Sequence, residues 1–115
     1  MLNNCLFCKI IAGEIPGKLV YQDDRIVALQ DIAPQAPHHY LLIPRKHLAT
    51  TLDLGEEDKD LVGHIFLVAA RLAEEMGFSD QGFRVVNNCN EGAGQTVWHI
   101  HFHLLGGRAF HWPPG

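Results

Sequence analysis

From Trp98 to Leu104 the chain alternates. Apolar side chains at Trp98, Ile100, Phe102 and Leu104 are separated by histidines at 99, 101 and 103. A strand has a side-chain period of two, so this pattern predicts three imidazoles on one face and four apolar side chains packed into a core on the other. Aromatic and β-branched content favours the same reading, and Gly106-Gly107 ends the strand. Lys18 to Tyr21 and Arg25 to Gln30 read as a hairpin turning at Gln22-Asp23-Asp24. His39 to Ile43 reads as a third strand closed by Pro44, and Gly82 to Asn88 as a fourth.

In the middle of the chain the period changes to that of a helix. Leu61, Ile65, Val68, Ala69, Leu72 and Met76 form one apolar stripe, which predicts a helix from about Leu54 to Met76. Asp53 with Glu56 resembles a capping box at its start, and Gly77 suits a left-handed terminator at its end. His64 on this helix is read as a surface residue. Cys5 to Ala12 predicts a short N-terminal helix, and Asp31 to Pro37, with two prolines, is irregular. The fold class is therefore α+β: an antiparallel sheet of about five strands, one long helix and a short N-terminal one. The 115 residues suffice for a single domain, 1–115.

Composition narrows the function. Nine basic residues face thirteen acidic ones and no basic run stands out, which argues against a nucleic-acid surface but leaves room for a small phosphate ligand. No apolar run reaches the ~20 residues of a membrane span. Met1 to Asn4 lacks the features of a secretory leader, so a cytoplasmic protein is expected. Three cysteines, Cys5, Cys8 and Cys89, do not read as a disulfide framework.

The chemistry gathers around the histidine strand. The turn-rich loop Asn90 to Gln95 leads into it, and glycine-rich turns can cradle phosphate oxygens with backbone N–H groups. Phosphate held beside imidazole suggests nucleophilic catalysis. The central ring, His101, is the best candidate, because a neutral imidazole can attack phosphorus and carry it as phosphohistidine. Donors from Asn88, Gly94, Gln95 and Thr96 would stabilise the developing charge. Separately, Cys5-x-x-Cys8 places two sulfurs within reach of one ion, a start for tetrahedral zinc.

His99-Ile100-His101-Phe102-His103-Leu104-Leu105 resembles the signature of the histidine triad superfamily. Cys5 to Ile11, Glu14-Ile15-Pro16, Asp31 to His39 and the tail Leu104 to Gly115 are similar to its Hint branch, so the resemblance covers nearly the whole chain. It implies a HIT-like fold and a homodimer paired through the long helix and the Gly82 to Asn88 strand. His101 would attack the α-phosphorus of a nucleotide, His103 would contact the phosphate, and His39 would orient the triad. The Thr96 hydroxyl would help the leaving group. Asp31 would bind the ribose hydroxyls, with Phe7, Ile10, Leu29 and Ile32 around a purine and Val97 and Trp112 also at the nucleotide. His38 would be a surface neighbour.

His47 and His99 match positions that complete a structural zinc site with Cys5 and Cys8 in some bacterial members. Four protein ligands leave no open position, so that zinc would not be catalytic. The implied activity needs no catalytic cofactor: hydrolysis of purine nucleoside 5′-phosphoramidates to AMP or GMP. A dinucleoside polyphosphate hydrolase and a nucleotide-binding interaction protein are the rivals.

Overall fold

The computed structural model describes residues 4–115; the first three residues of the segment read for a leader lie outside them. Helix α1 (Leu6–Ile11) is followed by β1 (Leu19–Gln22), β2 (Ile26–Gln30) and β3 (His38–Pro44). Helix α2 (Lys59–Glu75), β4 (Phe83–Val86) and β5 (Phe102–Gly106) complete the order. All four ladders are antiparallel, in the order β1-β2-β3-β5-β4. No helix among the described residues is long and apolar enough to cross a membrane.

The period of two sorts the sheet into two covered faces. Ile26, Ala28, Tyr40, Leu42, Phe102 and Leu104 point to one side, where Ile65, Val68, Ala69, Leu72 and Ala73 of α2 meet them. Burying each large aliphatic side chain there contributes roughly 1.5–3 kcal/mol. The intervening residues Val27, Leu29 and Ile43 turn to the other side, under Cys5 and Phe7 of α1. A side chain at Gly106 would strike the Phe78 ring, so β5 ends on glycine where that ring crosses it.

Several boundaries differ from the sequence reading. The long helix starts at Lys59, because Gly55 is extended and splits the preceding stretch into two short 3-10 turns, Thr51–Asp53 and Glu56–Asp58. The capping box there is Thr50 with Asp53 instead of Asp53 with Glu56. At the other end Gly77 has φ 83°, the left-handed stop expected of it. The predicted fourth strand is trimmed to Phe83–Val86.

The histidine strand is the larger correction. Pairing begins at Phe102, so His99 and His101 lie in an unpaired lead-in that bends at residues 97–99 and is held instead by the Ile100 N–H donating to the Leu48 carbonyl at 2.6 Å. Ile100, Phe102 and Leu104 are buried as expected, but Trp98 is 46% exposed and outside the core. His64 is no bare surface residue either. Its Nε2 lies 2.6 Å from Asp23 Oδ2, which ties α2 to the β1–β2 turn.

Candidate active site and metal clasp

In the β3–β5 ladder Leu41 stands opposite His103 and His39 opposite Leu105. His39 and His103 are therefore diagonal neighbours on one face, and His39 Nε2 lies 2.9 Å from His103 Nδ1. The Gln35 backbone N–H donates to His39 Nδ1 at 3.0 Å. Since that amide can only donate, His39 carries its proton on Nε2 and gives it to His103 Nδ1. His103 is left with its own proton on Nε2. Burial lowers the pKa of His39 against the pull of Asp31. Burial together with the His101 and His39 rings brings His103 down to about 4. Near pH 7 both rings are neutral, as this relay requires. Asp31 closes the row, with Oδ2 3.3 Å from His39 Nε2 and Oδ1 accepting from the Ala33 N–H at 2.7 Å.

His101 follows a different rule. Its Nδ1 lies 2.8 Å from the His99 carbonyl, which can only accept, so the proton sits on Nδ1 and Nε2 keeps its lone pair. Burial lowers the His101 pKa, outweighing the His99 carbonyl bond and Asp31, so the ring is neutral. The His101 and His103 ring centroids are 5.2 Å apart. Both rings line a cleft of about 320 Å³ together with Phe7, Leu29, Asp31, Ile32, Thr96 and Val97, with Lys18 and Gln30 at its rim. A lone-pair nitrogen and an N–H donor thus stand side by side at the head of an apolar slot with a carboxylate in its wall.

On the far side of Phe7 a second cluster forms. Cys5, Cys8, His47 and His99 bring their ligand atoms within 4.8 Å of one another. His99 Nδ1 lies 3.3 Å from Cys5 Sγ, 3.5 Å from Cys8 Sγ and 3.0 Å from His47 Nδ1; Cys8 Sγ lies 3.3 Å from His47 Nδ1. His99 Nε2 donates to the Pro44 carbonyl at 2.7 Å, which leaves Nδ1 as the ligating nitrogen, the arrangement metal-bound histidines use. Burial and the neighbouring Cys5 push the Cys8 thiol up to about 11, so a cation is needed to draw its proton off at neutral pH. Two sulfurs and two imidazole nitrogens fit a tetrahedral zinc.

Asp31, His39 and His103 also bring their ligand atoms within 4.8 Å of one another. That cluster fails the same test. A metal on His39 Nε2 would require a proton on Nδ1, which would then face the Gln35 N–H donor 3.0 Å away.

The family model described as "Scavenger mRNA decapping enzyme C-term binding" matches residues 4–110. The chain belongs to the histidine triad family. The purine nucleoside phosphoramidase of Escherichia coli K12 is 46% identical over 108 residues, covering 94% of this chain and 91% of that one. A HIT family hydrolase from Legionella pneumophila Philadelphia 1 superposes with a TM-score of 0.95 at 54% identity, covering 97% of this chain and 100% of that one. A more distant structure, a Zn-bound histidine triad family protein from Mycobacterium smegmatis, gives a TM-score of 0.81 at 30% identity, covering 94% and 78%. The five-stranded antiparallel sheet with one long and one short helix is thus the HIT-like fold.

Within this histidine triad protein the expected phosphate cradle is rearranged. The N–H groups of Ala93, Gly94 and Gln95 are turned onto the carbonyls of Asn90 and Glu91. The buried Gln95 amide is also spent: its nitrogen donates to the Ala49 and Val97 carbonyls and its oxygen accepts from the Asn90 N–H. Gly94 supplies the left-handed turn, at φ 92°, and Gln95 the strut, so neither has a donor left for a phosphate. Among the described residues Thr96, exposed on the cleft wall, is the loop residue whose N–H and hydroxyl stay unengaged.

Asn88 makes no hydrogen bond among the described residues; its neighbour Asn87 does. The Asn87 amide donates to the His101 carbonyl at 2.9 Å and accepts from the Thr51 hydroxyl. Ile10 of α1 packs against the cluster of Phe7, Val27, Leu29 and Ile43 and does not line the cleft, whereas Ile32 lines it fully exposed. Trp112, 83% exposed, lines no part of the cleft of its own chain. His38 is half-buried, stacked on Phe78 at 4.3 Å.

Proposed function

We propose that this chain hydrolyses purine nucleoside 5′-phosphoramidates through a covalent nucleotidyl-histidine on His101. The observation that carries the reading is the His101 tautomer: Nδ1 tied to the His99 carbonyl, Nε2 left as the nucleophile beside the His103 N–H. The resemblance to the Escherichia coli phosphoramidase supports the substrate class.

In this reading His101 Nε2 attacks the α-phosphorus and the P–N bond to the amine breaks. The positive charge that forms on the ring is stabilised by the Nδ1–H bond to the His99 carbonyl. His103 Nε2–H donates to a phosphoryl oxygen, its direction set by His39 and Gln35. Thr96, on the cleft wall, delivers the proton that the amine takes as it leaves. Water then attacks phosphorus and gives a proton back to the Thr96 oxygen, the phosphorus–His101 bond breaks with its electron pair returning to Nε2, and the nucleoside monophosphate departs. Asp31 holds the ribose hydroxyls and the apolar slot takes the purine.

Cys5, Cys8, His47 and His99 would hold a structural zinc, whose chemistry is to cross-link three chain segments. The Zn-bound Mycobacterium smegmatis relative supports this. A homodimer is proposed through α2 and β4: Phe66 and Leu67 leave half or more of their surface exposed on α2, and β4 is a sheet edge carrying the exposed Phe83. A cytoplasmic setting suits three unbridged cysteines.

The test is AMP release from adenosine 5′-phosphoramidate, with diadenosine tetraphosphate alongside. Fast amide cleavage with little polyphosphate turnover is the expected result. Preference for the polyphosphate, or turnover of neither, would overturn it.

A further inference from the structure

His101 precedes the first paired residue of β5, so the sheet ladder does not fix its backbone. Three contacts do. The Asn87 amide holds its carbonyl, the His99 carbonyl holds its Nδ1–H, and the Phe7 ring meets it edge-on at 5.0 Å. The last two come from segments that also supply metal ligands. His99 is itself a ligand, and Phe7 lies between Cys5 and Cys8 on α1, edge-on to His99 as well at 6.0 Å. The Leu48 carbonyl, next to His47, holds the Ile100 N–H between the two histidines.

We propose that the Cys5–Cys8–His47–His99 clasp is a positioning device for the nucleophile: a bound divalent metal fixes His99 and Phe7, and through them the tautomer and direction of His101. This rests on the zinc and phosphoramidate readings above.

The hydrogen-bond inventory gives the reason. His99 Nδ1 has no proton of its own, and it lies within hydrogen-bond distance of Cys5, Cys8 and His47. Without a cation it can accept from one of the three at a time, so several side-chain arrangements compete. A cation replaces them with a single one. Helix α1, six residues long, is held by tertiary contacts and not by its own hydrogen bonds: Phe7 is buried against Val27, Leu29 and Ile43, and the two cysteines flanking it give the clasp a second hold on the same turn. The relay from Gln35 through His39 to His103 shares no bond with the clasp. Of the cleft wall the clasp reaches Phe7 and leaves Asp31, Leu29 and Ile32 in place, so the chemical step should lose more than nucleotide affinity does.

The experiment compares zinc-loaded protein with protein stripped by a chelator and with stripped protein given zinc back. Metal content is read by mass spectrometry, histidine tautomers by long-range ¹⁵N–¹H spectra, AMP affinity by calorimetry and kcat by AMP release. The loaded protein should show His101 purely as the Nδ1–H tautomer. Stripping should average that signal, leave His39 and His103 unchanged, lower kcat roughly 10-fold or more and change the AMP Kd less than about threefold. Zinc should restore all of these.

His47→Gln, which removes only the half-buried ligand, guards against unfolding of stripped protein, and its kcat should follow its zinc occupancy. Stripped protein that keeps the His101 tautomer and kcat while only its Tm falls would overturn the proposal. So would a protein that takes up no zinc. Absence of turnover in every form, with the His101 tautomer still following zinc, would sink the phosphoramidate reading and leave the positioning role standing.

Discussion

Two histidine clusters lie on either side of Phe7, built from the same side chain and put to opposite uses by one backbone atom each. In the clasp, His99 meets a carbonyl, Pro44 O, so its other nitrogen is a bare lone pair suited to a cation. In the relay, His39 meets an amide, Gln35 N, so its other nitrogen carries a proton and passes direction along to His103. His101 obeys the clasp's rule but lines the cleft, where its lone pair is the one we propose attacks phosphorus. The backbone group behind each ring, an acceptor or a donor, decides which nitrogen carries the proton and which keeps a lone pair.

The division is broken most severely at His101. His101→Ala should lower AMP release at least ~10³-fold while zinc content and Tm stay close to those of the parent. Residual activity within tenfold of the parent would assign the lone-pair role to another ring. His39→Ala comes next. It frees His103 to take either tautomer and leaves the Gln35 N–H without its acceptor, so kcat/KM should fall roughly 10²-fold. Zinc content should not change, since the relay shares no bond with the clasp; a parallel loss of metal would merge the two clusters into one.

Acid probes the relay more gently. His103 is held at about 4 by burial and by the His101 and His39 rings, against an ordinary value of 6.5. Between those values the unfolded chain binds a proton that the folded one refuses. This group's contribution to stability is therefore full above pH 6.5 and lost as pH falls from 6.5 to about 4. The acid limb of kcat/KM should likewise lie well below 6.5. A limb at or above 6.5, with His103 protonated there in ¹⁵N spectra, would mean that its Nδ1 does not accept from His39.

Much of this was legible from residue order, and what was not has a physical cause. A period of two is a local property, so the burial of Ile100, Phe102 and Leu104 could be read directly. The helical stripe from Leu61 to Met76 was legible for the same reason. Whether an alternating segment is also paired depends on a neighbour. β4 pairs only as far as Val86, opposite His103, so His99, His101 and Trp98 fall outside the ladder although their pattern continues unbroken. Glycine richness in the loop signalled a tight turn but not which N–H groups the turn would consume. Gln95 was taken for a phosphate donor because its bond to the Ala49 carbonyl depends on a segment 46 residues away. The tautomers were out of reach as well, since each is set by a backbone atom distant in sequence or hidden by a turn.

A partly buried histidine outside both clusters supplies their control, with the smallest expected effect. His64 Nε2 binds Asp23 Oδ2 at 2.6 Å, on the α2 side of the sheet and away from the cleft. Burial disfavours ionisation of Asp23, but bonds from Tyr21, His64 and the Ile26 and Arg25 N–H groups outweigh it and hold the carboxyl well below the usual carboxylate range. In His64→Ala the carboxylate keeps the Tyr21 hydroxyl and both N–H groups, so it is not orphaned. Stability should fall by only about 1–2 kcal/mol, measured by urea unfolding. Neither zinc content nor kcat should move, because His64 has no carbonyl or amide wiring to either cluster. A drop in kcat approaching that of His39→Ala would show that the roles are not confined to the rings flanking Phe7, and the contrast between clasp and relay would have to be redrawn through α2.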